Sequence, residues 1–271
     1  RVQLAAAVVW ARGFLRAAPR DSGARIASTG SGSVGVGPVP PSLKLSKFYT
    51  QYVDAGGLPV VASSRPLPQA LLAARGIVLN MLANRADILA TLVKAKVRVA
   101  VIGAAEVTTD IPEYASLVPA DFWNSRTRGV GATPTRPVCS AGEENLLGLT
   151  PDRYAGESIL VHEFGHTLFE MGARTLKRSL DLELDALYQA AMAAGLWQST
   201  YDATNYREYW AEGVQCWFNA NPWARPANGV HGPVATREDL QAYDPGLARF
   251  IANVLGDLAW RWERPGAHAL V

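Results

Sequence analysis

The chain has 271 residues and a mass of 29.1 kDa, with 49% hydrophobic and 18% charged residues and a net charge of +2. That is enough sequence for one large domain or two small ones with ample core. A near-neutral chain without a basic stripe is not built to hold nucleic acid electrostatically, and no apolar run approaches the ~18 residues a membrane-spanning helix needs.

In chain order, residues 1–40 stand apart. Arg1, Arg12, Arg16, Arg20 and Arg25 face a single acid, Asp21, and the stretch ends in the Gly/Ser-rich run Ser28 to Gly37. Arg- and Ser-rich, acid-poor beginnings resemble organellar transit peptides, and the Leu4–Trp10 run reads equally as the remnant of a signal peptide. Either reading implies an organellar or secreted protein; an untargeted disordered tail fits the composition as well. The chain does not begin with Met, which is expected of a fragment or a processed form.

From Pro41 the composition is that of a folded domain, expected to run to about residue 265 and leave 266–271 as a tail. Leu67–Leu82 and Ala86–Lys94 carry apolar residues at helical spacing, with Asn84 as the expected cap between them. Val97–Ile102 alternates toward a buried strand stopped by Gly103. Pro112, Pro119, Pro134, Pro137 and Pro151 break residues 103–156 into loops. Asp121-Phe122-Trp123-Asn124 and Gly142–Leu147 are the parts with potential chemistry. They could wall a cleft, with Glu143, Glu144 or Asn145 selecting a substrate; capping and surface solvation are the simpler expectation.

Further on, Leu176–Ala194 reads as a long helix ended by Gly195. Its acids Asp181, Glu183 and Asp185 form a solvated face rather than a calcium site, since no loop geometry accompanies them. Thr236 is expected to cap a short helix at Arg237–Tyr243, and Gly246–Leu255 to form a last amphipathic one. Trp260 and Trp262 are expected to pack the end of the chain onto the domain. Cys139 and Cys216 have no Cys-x-x-Cys context, which argues against a structural zinc site. One disulfide and two buried thiols fit equally.

The stretch around His162-Glu163-Phe164-Gly165-His166 carries the most chemistry. Glu157 and Ser158 suit a first turn, and Met171-Gly172 supplies a C-terminal stop, so the segment is a helix. His162 and His166 lie one turn apart and present both imidazoles on one face, where they can share a metal ion. Glu163 is offset by about 100°, beside the metal, where a carboxylate can take a proton from water the metal activates. A metzincin would continue with Gly at 169 and His at 172; Phe169 and Gly172 stand there instead. His231 and His268 lie in Gly- and Pro-containing segments without a second motif, so a carboxylate is the better third ligand. Glu208 and Glu212 are one turn apart on a helix that Thr204 or Asn205 can cap. Either could ligate the metal while the other braces a histidine from behind.

These residues resemble the gluzincin metallopeptidases, and among them the anthrax lethal factor-like group. That group pairs His-Glu-x-x-His with a later Glu-x-x-Ala-Glu and a Tyr seven residues before its first Glu. Here His162, Glu163 and His166 match the first motif, Glu208-Tyr209-Trp210-Ala211-Glu212 the second, and Tyr201 falls at the offset. The resemblance spans about residues 155–220. It implies an α+β, zincin-like, mainly helical domain with a small sheet ahead of the active-site helix, one of whose edges takes an extended substrate by strand addition. It also implies Zn2+ held by His162, His166 and Glu208, Glu163 as general base, Tyr201 as the donor that steadies the tetrahedral intermediate, and Glu212 behind a histidine. His231 is a weaker candidate for the donor. The implied reaction is hydrolysis of a peptide or protein substrate. A zinc-binding interaction module without turnover and a metal-dependent amidase acting on something other than peptide are the competing classes. The module would be marked by loss of Glu163 or of the third ligand, and neither is lost.

Overall fold

The computed structural model describes residues 34–266. The expectations placed on residues 1–33 and 267–271 lie outside the described residues. Gly37 makes an isolated antiparallel bridge to Tyr52, and the fold proper opens with a hairpin of β1 (Gln51–Ala55) and β2 (Leu58–Ala62). Its turn is Gly56-Gly57, with φ of +68° and +95°, a conformation that costs only glycine little. The Asp54 carboxylate accepts from both of their N–H groups at 3.0 Å. Next come α1 (Pro68–Met81), α2 (Ala86–Lys94), β3 (Arg98–Ile102), α3 (Ala120–Arg126), β4 (Gly129–Val130), β5 (Val138–Gly142) and α4 (Glu143–Leu147). The second half is helical, with α5 (Ile159–Thr167), α6 (Arg174–Leu176), α7 (Ser179–Ala193), α8 (Tyr206–Trp217), α9 (Arg237–Tyr243) and α10 (Pro245–Leu255).

The sheet order is β1-β2-β3-β5-β4, with β2, β3 and β5 parallel and the outer pairs antiparallel. Both faces are covered, so the central strand is apolar on both sides. Val99 and Val101 join the core shared with α1 and α5. Ala100 and Ile102 face a smaller cluster built on Tyr49, Ile111, Tyr114 and Leu117. This is an α+β architecture with a small mixed sheet and mostly helices.

Several expectations meet the structure closely. Helices occupy Pro68–Met81 and Ala86–Lys94. Thr236 caps α9, its hydroxyl accepting from Asp239 N at 3.1 Å while Asp239 accepts from Thr236 N at 3.1 Å. Trp260 packs on Phe218, ring centroids 5.2 Å apart, and Trp262 N donates to the Phe218 carbonyl at 2.7 Å. Cys139 and Cys216 are both buried free thiols.

Other expectations are corrected. Asn84 does not cap α2: Arg85 takes that position without a side-chain cap and pairs with Asp87 at 2.7 Å in the first turn. The loop-rich region 103–156 holds only short elements, among them a strand not foreseen from the sequence: Val138-Cys139-Ser140-Ala141-Gly142 forms β5 beside β3. Its residues are small because α5 crosses directly over it, and small residues leave little strand signature. Glu143 and Glu144 are neither solvated nor on the cleft wall. Glu143 accepts from Leu67 N at 2.6 Å and Ala104 N at 2.9 Å, and Glu144 grips Arg128. Asn145 is buried too, donating to the Glu157 carbonyl at 2.9 Å and accepting from Ile159 N at 2.9 Å at the start of α5.

Nor does Gly172 stop the helix that carries His162 and His166. The chain runs from α5 through a π-helical turn at Leu168–Ala173 into α6, and Gly172 is a packing glycine. A Cβ there would stand 2.6 Å from Ile88 Cγ2 on α2. A helical Gly→Ala change ordinarily gains up to about 1 kcal/mol. Here the methyl has no room, and Gly172→Ala should instead destabilise by about 1–2 kcal/mol in urea unfolding. In an Ile88→Ala background the same change should become neutral or stabilising; a loss of equal size in both backgrounds would show that Ile88 is not the obstacle.

Candidate metal centre

Helix α5 begins at Ser158, whose hydroxyl accepts from Val161 N, and carries His162, Glu163 and His166. Helix α8 begins at Asn205, whose side chain accepts from Arg207 N at 2.9 Å and Glu208 N at 3.2 Å, so Asn205 rather than Thr204 is the cap. The two helices pack together and bring three donor atoms into a nearly equilateral triangle. His162 Nε2 lies 3.1 Å from His166 Nε2, His166 Nε2 lies 3.2 Å from Glu208 Oε2, and His162 Nε2 lies 3.2 Å from Glu208 Oε2. An ion bound at about 2.0–2.1 Å with tetrahedral angles needs donors about 3.3 Å apart. His162, His166 and Glu208 can therefore hold a single metal ion.

The electrostatics fit the same purpose. Burial disfavours a charged His162, yet hydrogen bonds to Glu208 and Glu212 outweigh it and raise its pKa well above the ordinary value. Burial likewise disfavours an ionised Glu208, and hydrogen bonds from His162 and His166 overcome it, holding the carboxylate ionised far below its usual range. In the metal-free protein a proton does the work that a cation would do.

The other nitrogen of His162 is fixed by two acceptors. Nδ1 meets Gln215 Oε1 at 2.8 Å and Glu212 Oε1 at 3.3 Å. The orientation of the Gln215 amide is set by its far end, where Nε2 faces Glu157 Oε2 at 3.1 Å and the Ser158 carbonyl at 3.3 Å. Only the amide oxygen is left for His162, so Nδ1 carries a hydrogen, and it is Nε2 that would give up its proton to offer a lone pair to a metal. Glu212 is in turn held by Asn221 Nδ2 at 2.8 Å. The sequence reading missed Gln215, although it lies three residues beyond Glu212 on the face that Glu208 and Glu212 share.

Glu163 lies outside the triangle and lines a cleft of about 590 Å³ with His162, Tyr201, Glu212, Phe122 and Trp123. Burial raises its pKa, opposed by the two histidines; Glu208 adds to the rise, and the Gly131 N–H favours the ionised form. The edge strand β4 comes this close because it begins with one glycine and is followed by another. A Cβ at Gly129 would stand 2.5 Å from Ile159 Cγ2, and one at Gly131 would stand 2.9 Å from His166 Cβ.

Tyr201 opens a short 3-10 turn before α8, with its ring 6.4 Å from that of His162. Its N–H donates to the Val230 carbonyl at 2.8 Å, which ties it to the loop bearing His231. Burial and the Glu208 charge raise its pKa, so the phenol stays protonated. His231 is occupied elsewhere, with Nε2 3.6 Å from Glu157 Oε1. Asp202, next to Tyr201, is buried with Oδ1 unpartnered; burial and the charge of Glu212 push its carboxyl well above the usual range.

If the Gln215 amide sets the His162 tautomer, Gln215→Ala should weaken metal binding by about 10–100-fold in a chelator competition titration. Affinity equal to wild type would assign that job to Glu212 alone. Against known proteins, no family model matches this chain, and no curated sequence does either. Among solved structures it is similar to a Pro-Pro endopeptidase from Paenibacillus alvei, at 17% identity over 72% of this chain and 96% of that one, with a TM-score of 0.47.

Proposed function

We propose that this chain is a zinc-dependent peptidase of the gluzincin kind, with one zincin-like catalytic domain over about residues 41–265. The observation that carries the reading is the triangle of two imidazole nitrogens and one carboxylate oxygen, with edges of 3.1–3.2 Å, set beside a cleft-lining Glu163. Zinc held by His162, His166 and Glu208 would supply a Lewis acid that polarises the scissile carbonyl and makes water a nucleophile at neutral pH.

The remaining tasks fall to the chain's own side chains. Glu163 is the general base: burial raises its proton affinity, so it accepts a proton from the attacking water and delivers it to the leaving amine. Tyr201, protonated and partly exposed at the cleft wall, donates to the oxyanion that forms on the carbonyl. Glu212 and Gln215 keep His162 in the tautomer that binds metal. An extended peptide adds to β4, the edge strand whose Gly129 rests on α5.

The expected preparation contains about one zinc per chain. Glu163→Gln should keep that zinc while peptide hydrolysis falls by at least ~10²-fold. Wild type and Glu163→Gln equally inert across a diverse peptide library would favour a binding module without turnover. Glu208→Ala should lose the metal; full zinc occupancy by elemental analysis would move the third ligand to Glu212 or His231. For Tyr201→Phe, kcat should drop by ~10²-fold while zinc content, Tm and KM stay near wild type. An active Tyr201→Phe enzyme would make its role one of packing.

A further inference from the structure

The cleft has two arginines on its wall, and they are not alike. Arg128 is fully engaged: it grips Glu144 at 2.5 and 2.7 Å and donates to the carbonyls of Glu106 and Gly103. Arg126 has no such partner. Its guanidinium sits 4.9 Å over the exposed ring of Phe122, and among the described residues it makes no ion pair and no side-chain hydrogen bond. The backbone beneath it is pinned. The Tyr154 hydroxyl donates to the Arg126 carbonyl at 2.5 Å, Thr127 Oγ1 donates to the Trp123 carbonyl at 2.7 Å, and Arg153 donates to the Ser125 carbonyl.

The Phe122 ring lies beneath the guanidinium, and no protein acceptor among the described residues takes its N–H groups. A planar fork held this way suits a carboxylate, which it can bind through two parallel hydrogen bonds. The acids nearby do not supply one: Glu157 faces Gln215 and His231, and Glu212 faces His162 and Asn221. We propose that Arg126, stacked on Phe122, recognises a carboxylate of the peptide that fills the cleft, which makes it a specificity-determining residue for acidic substrates. This inference rests on the peptide-binding reading of the cleft. The carboxylate is either an Asp or Glu side chain or the free C-terminus of a short peptide.

The test is binding, so that it does not depend on turnover. Fluorescein-labelled short peptides are titrated against the zinc-supplemented full chain carrying Glu163→Gln. One set is amidated, with Glu or Gln scanned through every position; the other is neutral with a free C-terminus. One carboxylate placement should bind about three- to tenfold tighter than its neutral amidated counterpart, and adding Arg126→Gln should bring that ratio to one. Preference within the amidated set identifies a side chain, and preference for the free terminus identifies a C-terminal carboxylate; either supports the proposal. Phe122→Leu, which removes the stack and keeps the charge, should reduce the ratio in part. Equal affinity for acidic and neutral peptides overturns it, as does a preference that survives Arg126→Gln, or no binding by any peptide. Acid-selective binding without hydrolysis by the chain with Glu163 intact would overturn only the hydrolytic reading.

Discussion

The site depends on how closely α8 lies against α5. Gly165, inside the His-Glu-x-x-His motif, presents only hydrogen to its neighbour; a Cβ there would come 3.3 Å from Val214 Cγ1 and 3.9 Å from Ala211 Cα. The Trp210 indole closes the contact by donating to the Gly165 carbonyl at 2.9 Å. A glutamate side chain reaches only a few ångströms from its helix, so Glu208 can meet both imidazoles only if the helices touch. Gly165, between the two histidines, is therefore part of the candidate metal site although it bears no donor. Its missing side chain lets α8 come close enough for the three donors to meet.

Behind the triangle the protein buries an unusual number of ionisable groups. His162, Glu157, Glu212 and Asp202 are all under 9% exposed. Burying charge without partners costs several kcal/mol per group, and here the cost is contained by chaining the groups. Glu157 holds Gln215, Gln215 holds His162, and Asn221 holds Glu212. Among the described residues, Asp202 Oδ1, Asn221 Oδ1, His231 Nδ1 and Trp217 Nε1 are buried without partners. Stability alone does not select such an arrangement beside three residues that could hold a metal.

What could be read from the sequence was local. The spacing of His162 and His166, the caps at Ser158, Asn205 and Thr236, and the apolar periods of α1 and α2 are decided within a few residues of chain. What escaped was decided across it. The small residues of β5 make sense only once α5 is known to lie on the strand, and Gly172 reads as a stop until Ile88 is seen pressed against it. Gln215 was within reach, since it continues the face of Glu208 and Glu212, but its role needed the far end of its amide to be placed against Glu157. Glu143 and Glu144 looked like surface because their partners, Leu67 N, Ala104 N and Arg128, are distant in sequence.

The π-helical turn at Leu168–Ala173 has a consequence of its own. A wider turn takes up more residues than an α-helical one, so the side chains after it are rotated relative to the register of those before. Upstream, the helix points its histidines at α8; downstream, Glu170 reaches Arg207 at 2.8 Å and Arg174 at 2.7 Å while Gly172 turns to α2. One continuous rod with uniform winding could not keep both appointments. The slack turn works as a phase adjuster between a face tuned for chemistry and a face tuned for packing. Changes in how the rod docks on α2 can be absorbed there without swinging the imidazoles out of alignment.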